Sequence, residues 1–155
     1  MTGGARALVA TAVLVLLTGC SADPSRGAEG TSTTTTSVDP FEISVGDCVD
    51  TTAGSGEVTE VPVVPCSRPH VGEAYERLLM TGEGSFPGDE AVVEAARGCE
   101  EPFLEFVGVA LAGSQLQVTY FHPTEQSWTT GDREILCIVS DPSGPVTGSL
   151  RNANR

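Results

Sequence analysis

Cysteine placement constrains this chain more than any other feature of its sequence. One of the five cysteines, Cys20, stands apart near the N-terminus. The others are spread through the part of the chain with regular hydrophobic patterning: Cys48, Cys66, Cys99 and Cys137. No two of these form a C-x-x-C, and their spacings are too wide for a zinc motif. Widely spaced cysteines in an exported domain pair more often than they bind metal, so we predict two structural disulfides, no metal and no cofactor.

The pairing of these four cysteines has three possible forms. Sequential pairing, Cys48 with Cys66 and Cys99 with Cys137, closes the shorter loops. It would also join a predicted helix to a predicted buried strand, and for both reasons we favour it. Each bridge would stabilise the domain by about 3–4 kcal/mol. The other two connectivities stay open at this point.

The first 19 residues have the organisation of a signal peptide. Arg6 is their only cation, an apolar stretch occupies positions 7–17, and small residues precede Cys20. The stretch is shorter than the roughly 20 residues that a membrane-spanning helix needs. The string Leu17-Thr18-Gly19-Cys20 resembles a bacterial lipobox, whose cysteine carries diacylglycerol. We predict palmitate-type lipidation of Cys20 and attachment to the outer face of the cytoplasmic membrane; the alternative is ordinary cleavage near Ala22.

Residues 20–39 are rich in Thr and Ser and contain almost no large apolar side chain. Such a composition cannot bury enough apolar surface to offset its ordering entropy, so this segment is predicted to be a linker. Residues 40–150 have the length of one small domain, and 151–155 are expected to form a tail.

The charge of the chain restricts its partners. The formal net charge is −13, and all eight basic residues are arginine. An acidic chain repels phosphate backbones, which excludes nucleic acid as a predicted partner. We attribute the acidity chiefly to solubility, with a specific cationic ligand as the minor alternative.

Hydrophobic periodicity predicts an α+β domain. Short strands are expected at 41–50 (one strand or a strand pair), 58–64, 71–80 (with a helix as the alternative), 114–122 and 134–140, the last being central because both of its faces are apolar. Pro62 places the second of these at an edge. A helix begins at Asp89, and Pro102 predicts a kink or two abutting helices. The expected fold is a mostly antiparallel four- to five-stranded sheet with one kinked helical segment packed on one face, stapled by two disulfides.

Two loops carry the candidate binding residues. His70 follows Cys66, and Glu73 lies three residues further on, where its carboxylate is expected to orient the imidazole. We expect His70 chiefly to bond a turn beside the disulfide, with ligand binding as the alternative. Trp128 is either a core residue or an exposed anchor for a partner. Arg133 is expected to fix the turn before the last strand or to meet a ligand carboxylate.

No constellation of catalytic residues is recognisable. The sequence contains no G-x-S-x-G and no phosphate-binding glycine loop. We therefore predict a binding or scaffold protein that is not an enzyme. The alternatives are a hydrolase acting on the cell wall through His70 or His122, and a carrier of a small apolar molecule with a cavity behind Trp128.

The order and spacing of several motifs resemble the septum formation family of actinobacteria. They are Gly46-Asp47-Cys48-Val49, Val64-Pro65-Cys66-Ser67-Arg68-Pro69-His70 with Glu73, Cys99 with Phe103, Pro123-Thr124, Trp128, Gly131-Asp132-Arg133 and Cys137. The resemblance covers about residues 43–150. It implies one small cysteine-stapled extracytoplasmic domain with a role in cell division, and it supplies no catalytic residues. The expected partner is an envelope protein or wall component.

Overall fold

A computed structural model describes residue 1, residues 34–51 and residues 58–155 of the chain. The signal peptide predicted at 1–19, apart from its first residue, lies outside the described residues. Cys20 and most of the predicted linker 20–39 lie outside them as well. None of the helices in the described part of the chain has the length and apolar character that crossing a membrane requires.

The described residues form one antiparallel six-stranded sheet. Its strands are β1 (Thr36–Val38), β2 (Cys48–Val49), β3 (Val61–Val64), β4 (Gly72–Leu79), β5 (Gln117–Phe121) and β6 (Glu134–Ser140). Their order across the sheet is β1-β3-β2-β4-β6-β5. Strand β6 is internal and is buried at every residue after Glu134, which confirms its predicted central position.

A helical segment covers one face of this sheet. It consists of α1 (Asp89–Ala96) and α2 (Glu100–Val107), joined by a single 3-10 turn. Pro102 lies in the first turn of α2, where its missing N–H is not needed, so the predicted kink takes the form of two abutting helices. Their apolar sides pack on side chains of β4 and β6, among them Tyr75, Ile135 and Val139.

A second core fills the opposite face of the sheet. It contains apolar side chains from β2, β3, β4, β5 and β6 and from the segment before β2: Ile43, Val49, Val61, Val63, Ala74, Phe121, Leu136 and Ile138. Because Leu136 and Ile138 alternate with Ile135 and Cys137, β6 contributes to both cores.

The two disulfides have the connectivity favoured from the sequence. Cys48–Cys66 ties β2 to the turn after β3, and Cys99–Cys137 ties the helical segment to β6. Cys99 and Cys137 are fully buried between helix and sheet, whereas Cys66 is partly exposed.

The strand predictions need three corrections. The sheet has six strands, not four to five, because β1 forms within the predicted linker and pairs with β3. That pairing makes β3 an internal strand, so the edge position predicted from Pro62 is wrong. The carbonyl of Pro62 accepts from the amide of Asp50, just past the end of β2. Of the strand or strand pair predicted at 41–50, only Cys48–Val49 forms a strand, since Pro40–Glu42 is a 3-10 turn that the Asp39 side chain caps.

Residues 141–155, here called the C-terminal segment, return across the sheet and the helices. Val146 exchanges two backbone hydrogen bonds with His70, each 2.9 Å long. The amides of Asn152 and Asn154 donate to the carbonyls of Phe106 and Val107, which end α2 and lack helical partners. The predicted tail 151–155 is therefore part of the domain.

Candidate functional site

A cleft of about 170 Å³ opens where the two ends of the sheet approach each other. One wall follows β1, at Asp39, Pro40 and Phe41, and the other follows β5, at His122 and Thr124. These residues flank the two outermost strands, so the sheet must curl to bring them together. The cleft is the open end of the second core, and its floor includes Phe121 and Leu136.

A short helix builds one wall of the cleft. It is α3 (Glu125–Thr129), and Thr124 caps its N-terminus by accepting from the amide of Ser127 at 3.1 Å. The Ser127 hydroxyl donates to Asp132 Oδ2 at 2.7 Å, while Asp132 Oδ1 accepts from the amide of Glu134 at 2.9 Å. These bonds fix the three polar side chains that α3 and the following turn present to the cleft.

Glu134 is a partly buried acidic group of the cleft. Its side chain is 16% exposed, and Oε2 accepts from Arg77 Nη1 at 2.8 Å. Arg77 also donates to the carbonyl of Ile43 and so ties the wall before β2 to the sheet. Burial raises the pKa of Glu134 above its ordinary value; Arg77 opposes this shift, and the Asp132 carboxylate adds to it.

The described residues of the cleft do not place a serine and a histidine in contact. His122, Ser127 and Asp132 line the same cleft. However, Ser127 Oγ is hydrogen-bonded to Asp132 and Thr124, and the described bond of the exposed His122 joins Nδ1 to the carbonyl of Pro123 at 3.0 Å. A nucleophile and base need direct contact. A serine in contact with a histidine base is absent from the described part of this cleft.

His70 and Glu73 lie away from the cleft and do not bond each other. His70 is fully buried, and its Nδ1 donates to the carbonyl of Arg68 at 2.9 Å, which confirms the predicted turn contact. Among the described residues its Nε2 has no partner. The prediction that Glu73 orients His70 is wrong, because the Glu73 carboxylate accepts from Ser149 Oγ at 2.7 Å and from the Leu150 amide at 2.6 Å.

Glu73 also forms the one potential metal-ligand cluster in the described part of the chain. Its carboxylate lies within 4.8 Å of the sulfurs of Cys48 and Cys66. Those sulfurs are joined in a disulfide and so offer no thiolate ligands. The cluster does not fit a metal in this form.

Trp128 and Arg133 form a structural cluster beside the cleft. Trp128 is 2% exposed, and its Nε1 donates to the carbonyl of Gly84 at 2.9 Å. The Arg133 guanidinium lies 3.5 Å from the centre of the indole ring and also donates to the carbonyls of Gly82 and Trp128. Phe86 meets the ring edge-on. Trp128 is therefore a core residue, as one of its two predicted roles has it. Arg133 fixes the turn before β6, which is likewise one of the two roles predicted for it.

The cleft residues were not among the binding candidates identified from the sequence. Asp39 lay in the predicted linker, and Phe41 in a predicted strand. The one usable local signal is Thr124 three residues before Ser127, a spacing typical of a helix N-terminus. The rest of the cleft depends on the curl of the sheet, which no local pattern encodes.

Comparison of the sequence with known protein families gives a match over most of the domain. The septum formation family matches residues 45–154, which include both disulfides and most of the C-terminal segment. The chain belongs to the septum formation family. No curated protein and no solved structure matches it significantly. Within the family domain, the match covers β2 to β6 and one wall of the cleft, while Asp39 and Phe41 lie just before it.

Proposed function

We propose that this protein is a lipid-anchored, extracytoplasmic binding or scaffold protein of the actinobacterial cell envelope that acts in septum formation. Membership of the septum formation family carries the link to division. The two disulfides support an oxidising compartment. The lipobox resemblance at Cys20 supports attachment at the outer face of the cytoplasmic membrane.

We further propose that the cleft is the binding surface. It is a concave site that combines an apolar floor with a few convergent polar groups, which is the usual form of a ligand site. Its polar walls are held by the cap of α3 and by Arg77, so they are positioned before a ligand arrives. The partner is an envelope protein or wall component, and nucleic acid is not expected.

Localisation in dividing cells tests the division role. A fluorescent fusion to the C-terminus is expected to concentrate at division sites, and deletion of the gene is expected to alter septum spacing. A Cys20→Ala variant should lose its lipid and leave the membrane fraction, because the acyl chains carry the membrane affinity. Even distribution around dividing cells, together with unchanged septum spacing after deletion, would contradict the role.

The alternative hydrolase is tested separately through His122. This side chain is exposed, so His122→Ala should leave the fold intact. The proposal expects no turnover of cell-wall fragments by the wild-type protein. Turnover by the wild type that His122→Ala abolishes would establish the hydrolase instead.

A further inference from the structure

The charged groups of the cleft are unbalanced. Three carboxylates line it, from Asp39, Asp132 and Glu134, and no arginine or lysine is among its described lining residues. Arg77 is not among these lining residues, and it is bonded to one oxygen of Glu134 only. A cleft with this lining favours a cation over a neutral or anionic ligand.

Two of these carboxylates keep acceptor capacity that the described residues do not use. Asp39 Oδ1 accepts from the Phe41 amide at 3.0 Å, and Asp39 Oδ2 has no hydrogen-bond donor in the described part of the chain. Glu134 Oε2 accepts from Arg77, while its Oε1 has no donor among the described residues. A donor from a ligand could therefore bond either group without breaking an existing contact.

The arrangement favours an organic cation over a metal ion. A bound metal needs three or more ligand atoms close together. The described residues bring three potential ligands within 4.8 Å only at Cys48, Cys66 and Glu73, and not in the cleft. The three cleft carboxylates therefore do not all lie within 4.8 Å of one another, as a shared metal site would require, and they border an apolar floor.

The floor and rim indicate what the cation is attached to. Phe121 and Leu136 lie at the bottom, and Phe41 stands at the rim with 48% of its surface exposed. Aliphatic chains pack on such a surface, and an ammonium group is attracted to aromatic faces. A guanidinium would need a planar carboxylate partner for its paired bonds, and Glu134 already gives one oxygen to Arg77.

We propose that the cleft binds a lysine side chain of a peptide, with the alkyl stem on the apolar floor and the ammonium attracted by the carboxylates of Asp39 and Glu134. This inference rests on the proposed binding role of the cleft and names its ligand class. The burial that raises the pKa of Glu134 supports it, because a bound ammonium would stabilise the ionised carboxylate. The net charge of −13 would attract a basic peptide from a distance.

Amide chemical shifts of the ¹⁵N-labelled full chain in detergent provide the test. The probe is N-acetyl-lysine methylamide, compared with the norleucine analogue and with the analogue acetylated on its side chain. We expect the lysine probe to shift amides of the cleft, with an affinity at least ten-fold above that of either uncharged analogue. Higher salt should weaken the binding of the lysine probe only.

Charge-neutralising variants locate the effect. Asp39→Asn retains a good helix cap, and Glu134→Gln retains an acceptor for Arg77, so both should fold. Each is expected to weaken the lysine probe at least three-fold. Glu105→Gln, on the exposed side of α2, makes the same charge change outside the cleft and should leave the affinity unchanged.

The outcomes separate this inference from the binding role. Equal affinity for the lysine and norleucine probes in the cleft would overturn the ligand class and leave the binding role standing. The class would also be overturned if the lysine probe shifted no cleft amide, or if Glu105→Gln weakened it as much as the cleft variants did. Localisation of the protein at division sites is measured independently of all these results.

Discussion

Replacing Glu73 should release the C-terminal segment from the sheet. The Glu73 side chain is 2% exposed and lies on β4. Its two oxygens accept from the Ser149 hydroxyl and from the buried amide of Leu150, at 2.7 and 2.6 Å. Leu150 itself is 3% exposed and belongs to the core beneath the helices. Glu73 is therefore the acceptor that holds Ser149 and Leu150 of the C-terminal segment against the sheet.

The cost of Glu73→Ala follows from these two bonds. A buried amide left without an acceptor costs about 1–3 kcal/mol, and the lost hydroxyl bond adds about 1 kcal/mol. Removing a buried charge recovers part of its desolvation cost. We therefore expect Glu73→Ala to lower the free energy of unfolding by about 2–4 kcal/mol. Glu73→Gln keeps one acceptor for the Leu150 amide and should cost about 1–2 kcal/mol.

Urea denaturation with the disulfides intact, together with hydrogen exchange of the Leu150 amide, measures both effects. Glu73→Ala should accelerate exchange at Leu150 more than at the β6 amides. Ser149→Ala is the matched control, because it removes the exposed hydroxyl that donates to Glu73 and accepts from the Arg151 amide, and it should cost less than about 1 kcal/mol. A Glu73→Ala protein within about 0.5 kcal/mol of wild type, with a protected Leu150 amide, would contradict this role of Glu73, since typical buried bonds exceed that value.

Three further predictions follow from other contacts. Under a mild dithiol, Cys48–Cys66 should be reduced before the fully buried disulfide, because Cys66 is partly exposed; mass mapping of alkylated cysteines would show the reverse order if this is wrong. Arg133→Ala should cost about 1–2 kcal/mol in urea denaturation through the lost stacking and carbonyl bonds, and an unchanged midpoint would contradict it. Hydrogen bonds from Ser143, then Arg155, lower the pKa of Asp141 to about 2 from 3.8, so the stability it contributes is complete above about pH 4 and lost as the pH falls towards 2. Asp141→Asn should flatten that part of the acid denaturation profile, and an unchanged profile would refute the assignment.

Periodicity and covalent chemistry made much of the fold predictable. The two apolar faces of β6 and the apolar spacing of the helices around Pro102 are local patterns, so both elements and their packing followed from them. The favoured disulfides followed because Cys99 lies on the buried side of the helical segment and Cys137 on a buried strand. Residues 151–155 have no hydrophobic periodicity. The hydrogen bonds from Asn152 and Asn154 to the last carbonyls of α2 were therefore missed.

The site was much less predictable, for a physical reason. Asp39 and Phe41 lie far along the chain from Glu134, and they meet it only because the sheet curls. Glu73 was expected beside His70 from their spacing. Three residues along a strand place side chains on opposite faces, however, and Glu73 instead faces the C-terminal segment. Trp128 and Arg133 were identified as notable residues, and their contacts with residues 82–86 give them a structural role.

We propose that this protein acts in septum formation through the cleft. Complementation of the deletion strain with Phe41→Ala and with Leu104→Ala measures that dependence. The two wild-type side chains are similarly exposed, at 48% and 47%, but only Phe41 lines the cleft. At equal protein levels, we expect Phe41→Ala to fail to restore septum spacing and Leu104→Ala to restore it. Full restoration by both variants would contradict the claim.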